Sequence, residues 1–373
     1  MRTGQGRGDA PFSFAATTTR RAWLALSATA GLPRRQRAAL LRAHGGDPVA
    51  ALAALPEGLS PGRVDTGIEA RLDAFLAEGG QLLTLGHPDY PALLAGIDDP
   101  PAGLHVRGTA TALWQPQVAV VGSRQASRGG AELAVEFAAD FVRAGLTVTS
   151  GLALGIDAAA HRGTLEARGC TVAVLATGAD RIYPQRHREL AAAILDQGGV
   201  IVSEMPPGTA PLPELFPQRN RVISGLSLGT VVIEAGLASG SLVTARLAAT
   251  QGREVYAVPG SVKHPLARGC HQLIREGAKL VESAAHVLEG LAPMAGVLAD
   301  ALQLRLALAD PPASARPAER DPLLVALGRD PATLEELTRH TGQSAAQLQG
   351  RLLELELDGR IEALPGGRYR ARG

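Results

Sequence analysis

The chain of 373 residues, 46% apolar and 20% charged, is long enough for two or three separately cored domains. Its formal net charge of +1 excludes a histone-like polycation, so any polyanionic partner must meet a local basic patch. Two cysteines, Cys170 and Cys270, exclude a disulfide framework and a cysteine-built zinc site, and they point to a reducing cytoplasm.

Residues 1–18 are rich in Gly, Arg, Thr and Ala without periodicity and are expected to form a mobile tail. The run TTTRRAWLALSATAGL (17–32) looks like a twin-arginine export signal. However, PRRQR follows the apolar stretch at once with no small-residue cleavage site, so the expectation is a buried helix. Over residues 19–84 apolar residues recur at helical spacing, as in AALLRAH and IEARLDAFLAEGG, which predicts a small helical (SAM-like) domain. No uncharged apolar stretch reaches 18 residues, so no membrane span is expected.

Residues 85–290 begin Pro-rich and then change character. The runs VAVVG, TVTSG, TVAVLATG, GVIVSE, TVVIEAG and EVYAVPG alternate with helical patterns. Near-continuous apolar strands separated by helices predict an α/β core, a Rossmann-like, doubly wound parallel sheet. Residues 291–319, running into PPASARPAERDP (311–322), have the composition of a linker. In residues 320–373, two helical patterns with a turn at Gly342 and two short strands around PGG predict a winged helix.

In such a sheet, ligands bind where strands end and helices begin. Those ends read GSR (122–124), SGLALGID (150–157), ATGADRIYP (176–184), SEMPPG (203–208), EAGLASGS (234–241) and VPGS (258–261). Glycine permits close backbone approach and a helix N-terminus presents unpaired amides, so loops of this kind suit phosphate. Neither the GK[ST] of a P-loop nor a G-x-G-x-x-G accompanies them, which argues against ATP hydrolysis and simple NAD binding. In FPQRNRVISGLS (216–227), Pro217 fits a first helical turn. Arg219 and Arg221 offer planar forks for phosphate, or pair with Glu204 or Glu214. Asp157 and His161 share a helix at four-residue spacing, and helix capping by Asp157 is the preferred reading over acid–base chemistry.

The segments GSR, SGLALGIDAAAHRG, FPQRNRVISGLS, GSLVTARLA and VPGS, in this order, resemble the DprA/Smf family of DNA-processing proteins over residues 85–290. The resemblance implies a non-enzymatic, cytoplasmic homodimer without metal or cofactor. It would protect incoming single-stranded DNA and load RecA onto it during natural transformation. It also implies a DNA pocket formed by Arg124, Arg219, Arg221 and either Arg186 or Arg188. Gly122, Ser123, Phe216, Asn220, Ser224, Gly240, Ser241 and Thr244 complete the expected set, although core packing is the preferred role for Phe216. This chain has His187 and His271 where the family commonly has Asn.

Aromatic residues make up only 3% of the chain, too few for a long stacking platform, so phosphates should supply most of the affinity. The competing reading is a nucleotide-processing enzyme of the phosphoribohydrolase type with Glu234 as its acid, although the PGGxGT-type loop is missing. A sequence-specific duplex regulator fits less well, because the presumed recognition helix SAAQLQGRLLELELDG carries one arginine among several acids.

Overall fold

The computed structural model describes residues 17–309, 332–341, 361–364 and 368–371, with single positions 323, 327, 348, 351, 352 and 355. The chain divides into two compact bodies, residues 1–305 and 306–373.

The first body is built on a nine-stranded sheet: β1 (Gln81–Thr84), β2 (Gly103–Gly108), β3 (Gln117–Gly122), β4 (Thr147–Ser150), β5 (Thr171–Leu175), β6 (Val200–Ser203), β7 (Gly229–Ile233), β8 (Glu254–Ala257) and β9 (Lys279–Leu280). Its order is β1-β2-β6-β5-β4-β3-β7-β8-β9. The seven strands from β6 to β9 in this order are parallel, as the apolar runs predict. Two antiparallel strands, β1 and β2, extend the sheet on the β6 side. The sheet therefore begins at Gln81, not after residue 85: β1 is four residues long and too short to interrupt the helical pattern around it.

Among the described residues the helices are α1 (Thr17–Ser27), α2 (Arg34–Ala43), α3 (Pro48–Ala53), α4 (Thr66–Ala77), α5 (Ala92–Ala95), α6 (Arg128–Arg143), α7 (Ile156–Glu166), α8 (Arg188–Asp196), α9 (Leu215–Leu226), α10 (Gly240–Thr250), α11 (Arg268–Arg275), α12 (Ala284–Ala309) and, in the second body, α13 (Leu334–Thr341). Alternation along β3 sends Val118 and Val120 toward Phe137, Phe141 and Ile156 on one face. Ala119 and Val121 go into the other cluster, with Val222, Ile223, Leu242 and Ala245. Each fully buried Val, Leu, Ile or Phe contributes about 1.5–3 kcal/mol to such a core.

Helix α1 is buried at Trp23, Leu24, Ala25 and Leu26, as expected for a core helix and not an export signal. It starts at Thr17, inside the stretch assigned to a tail; residues 1–16 lie outside the described residues. Trp23 and Leu24 pack with Leu72 of α4 and Leu82 of β1, so the helical region shares the sheet's core. Asp47 and Asp65 cap α3 and α4 by accepting from the amides of Val49 and Ile68.

A second boundary also moves. Residues 291–309, read as the start of a linker, continue α12. Their alanine and leucine are strong helix formers, and Leu291 and Leu298 are buried against the α6 side of the sheet, which outweighs the cost of Pro293. Residues 310–319 lie outside the described residues. No single helix among the described residues is long and apolar enough to cross a membrane.

In the second body, three strands (β10, Ala332–Thr333; β11, Ile361–Leu364; β12, Arg368–Ala371) pair antiparallel in the order β10-β12-β11. Leu323, Leu327, Leu337, Leu348, Leu352, Leu355 and Ile361 form its core. Most of the presumed recognition helix falls outside the described residues.

Candidate functional site

The strand order reverses between β3 and β7, and at this switch point the loops after the two strands part to leave a crevice. A cleft of about 730 Å³ occupies it. The GSR loop is fixed from both sides: the amide of Ser123 donates to the Glu234 carbonyl at 2.7 Å, and its carbonyl accepts from the Ile156 amide at 3.1 Å. Gly155, at φ +72°, allows this contact, since a Cβ there would lie 2.2 Å from the Ser123 oxygen. The Ser123 hydroxyl accepts from the Gln125 amide, turning the chain so that Arg124 emerges exposed. Its guanidinium sits 5.3 Å over the ring of Phe216, which in turn lies 5.7 Å from the ring of Tyr183. Phe216 is thus half-buried at the cleft and not a core residue: it stands in the first turn of α9, before the helix enters the sheet's apolar layer.

Helix α9 sends its two arginines to different places. Arg219, 7% exposed, lines the cleft and donates through Nη1 to the carbonyls of Gly151 (2.8 Å) and Val174. Gly151 makes this possible, because a Cβ there would meet the guanidinium at 2.5 Å. Burial lowers the Arg219 pKa to about 10, with Asp157 opposing the shift and Arg124 adding to it. The side chain therefore stays cationic at neutral pH on a partly desolvated floor.

Arg221, 6% exposed, does not line the cleft. It forms a fork on Glu204 (2.8 and 2.6 Å), donates to the Asp99 carbonyl at 2.9 Å and lies 3.3 Å from the Asp99 carboxylate. Burial alone would lower its pKa, but the pairing with Glu204 and Asp99 raises it. The expectation that Arg221 belongs with Arg219 in the pocket is corrected here, and the alternative pairing with Glu204 is the one Arg221 makes: residues two apart on a helix lie about 200° apart around its axis.

Asn220 lines the cleft and ties α9 to α10 through Nδ2 and the Gly240 carbonyl at 3.3 Å. Gly240, Ser241 and Thr244 complete that wall, and Ser239, which was not anticipated, caps α10. A serine directly before a helical run is a readable cap signal. Ser224 is fully buried, with its hydroxyl directed at the Asn220 and Arg221 carbonyls, and does not reach the cleft.

Asp157 is buried at the cleft floor and does not cap its helix; Gly155 occupies that position. Its carboxylate instead accepts from the amides of Gly151 (3.1 Å) and Ala153 (3.3 Å), holding the loop on which Arg219 rests. Burial pushes its pKa up, against the pull of Arg219. His161 contacts Thr171 Oγ1 at 2.7 Å and makes no pair with Asp157. That hydroxyl already donates to the Val148 carbonyl, so His161 donates through Nδ1. Burial lowers its pKa to about 3, which keeps the ring neutral.

Arg186 and Arg188 are both exposed, and neither lines this cleft. Arg188 lines a second cleft that shares Tyr183 with the first. His187 between them is buried, its Nδ1 2.8 Å from the Leu152 carbonyl, and His271 Nε2 lies 3.0 Å from the Gly260 carbonyl. Glu234, the candidate acid of the enzymatic reading, does not line the cleft. Its carboxylate accepts from the Ser127 amide (2.8 Å) and hydroxyl (2.5 Å) at the start of α6.

Residues 81–292 match the family model described as DNA recombination-mediator protein A, and residues 307–367 match the DprA winged helix domain. Protein Smf of Escherichia coli is 44% identical over 283 residues, covering 76% of this chain and 75% of that protein. Among solved structures, DNA processing protein A from Streptococcus pneumoniae is 35% identical with a TM-score of 0.60, over 72% of this chain and 95% of that one. The Helicobacter pylori protein, whose structure was described for its unique single-stranded DNA binding mode, is 26% identical with a TM-score of 0.52, over 57% of this chain and 96% of that one. With its switch-point cleft and the motifs that build it inside the matched segment, the chain belongs to the DNA recombination-mediator protein A (DprA/Smf) family.

Proposed function

We propose that this protein binds single-stranded DNA in the switch-point cleft and serves DNA recombination and transformation as a binding protein, without catalysing a reaction. The observation that carries this reading is the convergence of Arg124 and Arg219 on one cleft, beside Phe216 and Tyr183 and the first turn of α10. Two guanidinium groups and helix-start amides suit backbone phosphates, and the two rings offer stacking for a base or two. Arg124 leaves its stacked position over Phe216 to take a phosphate as a base takes its place. Family membership extends the proposal to a cytoplasmic homodimer that hands the strand to RecA. The acids and single arginine of the presumed recognition helix suit an accessory contact better than promoter reading.

The phosphoribohydrolase reading has less support, since Glu234 is committed to Ser127 and faces away from the cleft. Fluorescence anisotropy with labelled oligo-dT at low salt tests the proposal: binding that weakens steeply with salt is expected, and no binding would refute it. Release of free base from a nucleoside monophosphate, lost in Glu234→Ala, would restore the enzymatic reading.

A further inference from the structure

The loop that carries Arg124 runs only from Ser123, just after β3, to Ser127, just before α6, and both of its ends are bound to one residue, Glu234, at the end of β7. At the first end the Ser123 amide donates to the Glu234 carbonyl at 2.7 Å. At the other, the Ser127 amide donates to one carboxylate oxygen at 2.8 Å and the Ser127 hydroxyl to the other at 2.5 Å. Between them the Gln125 amide donates to the Ser123 hydroxyl oxygen at 3.1 Å. Arg124 therefore projects from a backbone tied at both ends to a single acid.

Two backbone positions are adapted to this clamp. Glu234 lies at φ +54°, in the left-handed region that a residue with a side chain rarely adopts, and such a conformation persists where its surroundings hold it. Gly130, in the first turn of α6, faces the carboxylate: a Cβ there would lie 2.4 Å from it, so only a residue without a side chain lets the acid rest against the helix start. The Ser127 hydroxyl oxygen completes the arrangement by accepting from the Gly130 amide at 3.0 Å. A carboxylate thus already occupies the N-terminus of α6, where first-turn amides would otherwise draw an anion. Charge and space both keep a phosphate from this helix start, which leaves Arg124 as the group through which the loop meets an anionic strand.

We propose that Glu234 is a positioning residue for single-strand binding, whose clamp fixes the backbone from which Arg124 moves off Phe216 to a phosphate. This role rests on the single-strand reading above and deepens it: the acid of the enzymatic reading serves binding instead. A loop ordered in advance loses little conformational freedom when Arg124 takes its phosphate, and without the clamp that loss falls on the binding step.

Glu234→Gly removes the carboxylate at a position whose backbone glycine adopts readily. Glu234→Gln retains the clamp, since its amide oxygen accepts from the Ser127 amide and its amide nitrogen donates to the Ser127 hydroxyl oxygen. In oligo-dT anisotropy, Glu234→Gly should weaken binding and reduce the magnitude of the log–log salt slope by up to about 0.7, the share of one phosphate contact. Glu234→Gln should match wild type. In an Arg124→Ala background, Glu234→Gly should have no further effect on slope or affinity, because the group it positions is gone. An unchanged slope and affinity in Glu234→Gly, or an equal loss with and without Arg124, would overturn the positioning role while leaving DNA binding by the cleft in place. If the glycine variant fails to fold, Ser127→Ala, which removes the hydroxyl arm of the clamp, decides by the same comparison. A loss confined to the background that keeps Arg124 supports the role; no loss, or an equal one in both, overturns it. Absence of binding by the wild-type protein would refute the single-strand reading itself, and the positioning role with it.

Discussion

The two sides of α9 make opposite use of the same residue type. On the cleft side, Arg219 directs one arm to carbonyls and rests against Gly151, with no carboxylate within ion-pair distance among the described residues. On the other side, Arg221 is clasped by Glu204 and Asp99. Arg34 of α2 also reaches this second site, 3.8 Å from Glu204, and bonds Gln218 of α9 at 3.3 Å. A cation left with carbonyls for partners remains available to an anionic ligand. A cation already neutralised by two carboxylates holds the helical region, the loop after β6 and α9 together. The difference lies in the partners that the fold supplies, and a two-residue step along a helix is enough to produce it.

The largest expected effect is on the structural side. Arg221→Met leaves Glu204, 14% exposed, without its fork and should lower the unfolding free energy by about 3 kcal/mol in urea denaturation. Adding Glu204→Leu should recover most of that loss, because an apolar pair of similar volume replaces a buried ion pair at little cost. If the single variant were as stable as wild type, the clasp would have no structural weight.

Acid should also reveal the buried histidines. His105, enclosed by the rings of Trp23 and Phe75, has its pKa lowered to about 4 by burial, and His161 beneath the cleft has its own lowered to about 3. Both are neutral when folded and bind a proton more readily when unfolded, near pH 6.5. Their contribution to stability is therefore complete above about pH 6.5 and falls by up to about 1.4 kcal/mol per pH unit for each ring, until the folded pKa is reached. His105→Leu should flatten this slope between about pH 6.5 and 4 and leave oligonucleotide binding intact; an unaltered slope would contradict the assignment.

A smaller effect is expected at the glycine on which Arg219 rests. Gly151→Ala places a methyl group against the guanidinium and should weaken oligo-dT binding by about tenfold, equivalent to about 1.4 kcal/mol, through displacement of Arg219. The smallest effect on stability belongs to exposed Arg124. Arg124→Ala should change the unfolding free energy by less than about 0.5 kcal/mol while reducing the magnitude of the salt slope by about 0.7.

Much of this was legible in the sequence. The apolar runs from VAVVG to EVYAVPG are strands in one parallel sheet, and the loops at GSR, SGLALGID and EAGLASGS meet at its switch point. What could not be read was direction. FPQRNR announces two cations, and Glu204 is a readable candidate partner, but not which arginine it takes, nor Asp99, which approaches from a distant segment. Phe216 reads as a core residue by composition alone, yet its place at the first turn of α9 puts it at the cleft. Likewise, a four-residue strand at Gln81 and a helix continuing through Pro293 follow from tertiary packing, which overrides local composition.

The most direct test is a salt series of oligo-dT anisotropy on wild type, Arg219→Ala and Arg221→Met, under conditions where circular dichroism shows all three folded. The account predicts a slope smaller in magnitude by about 0.7 for Arg219→Ala and unchanged for Arg221→Met. Equal losses in the two variants, or no loss in Arg219→Ala, would contradict the division of labour across α9.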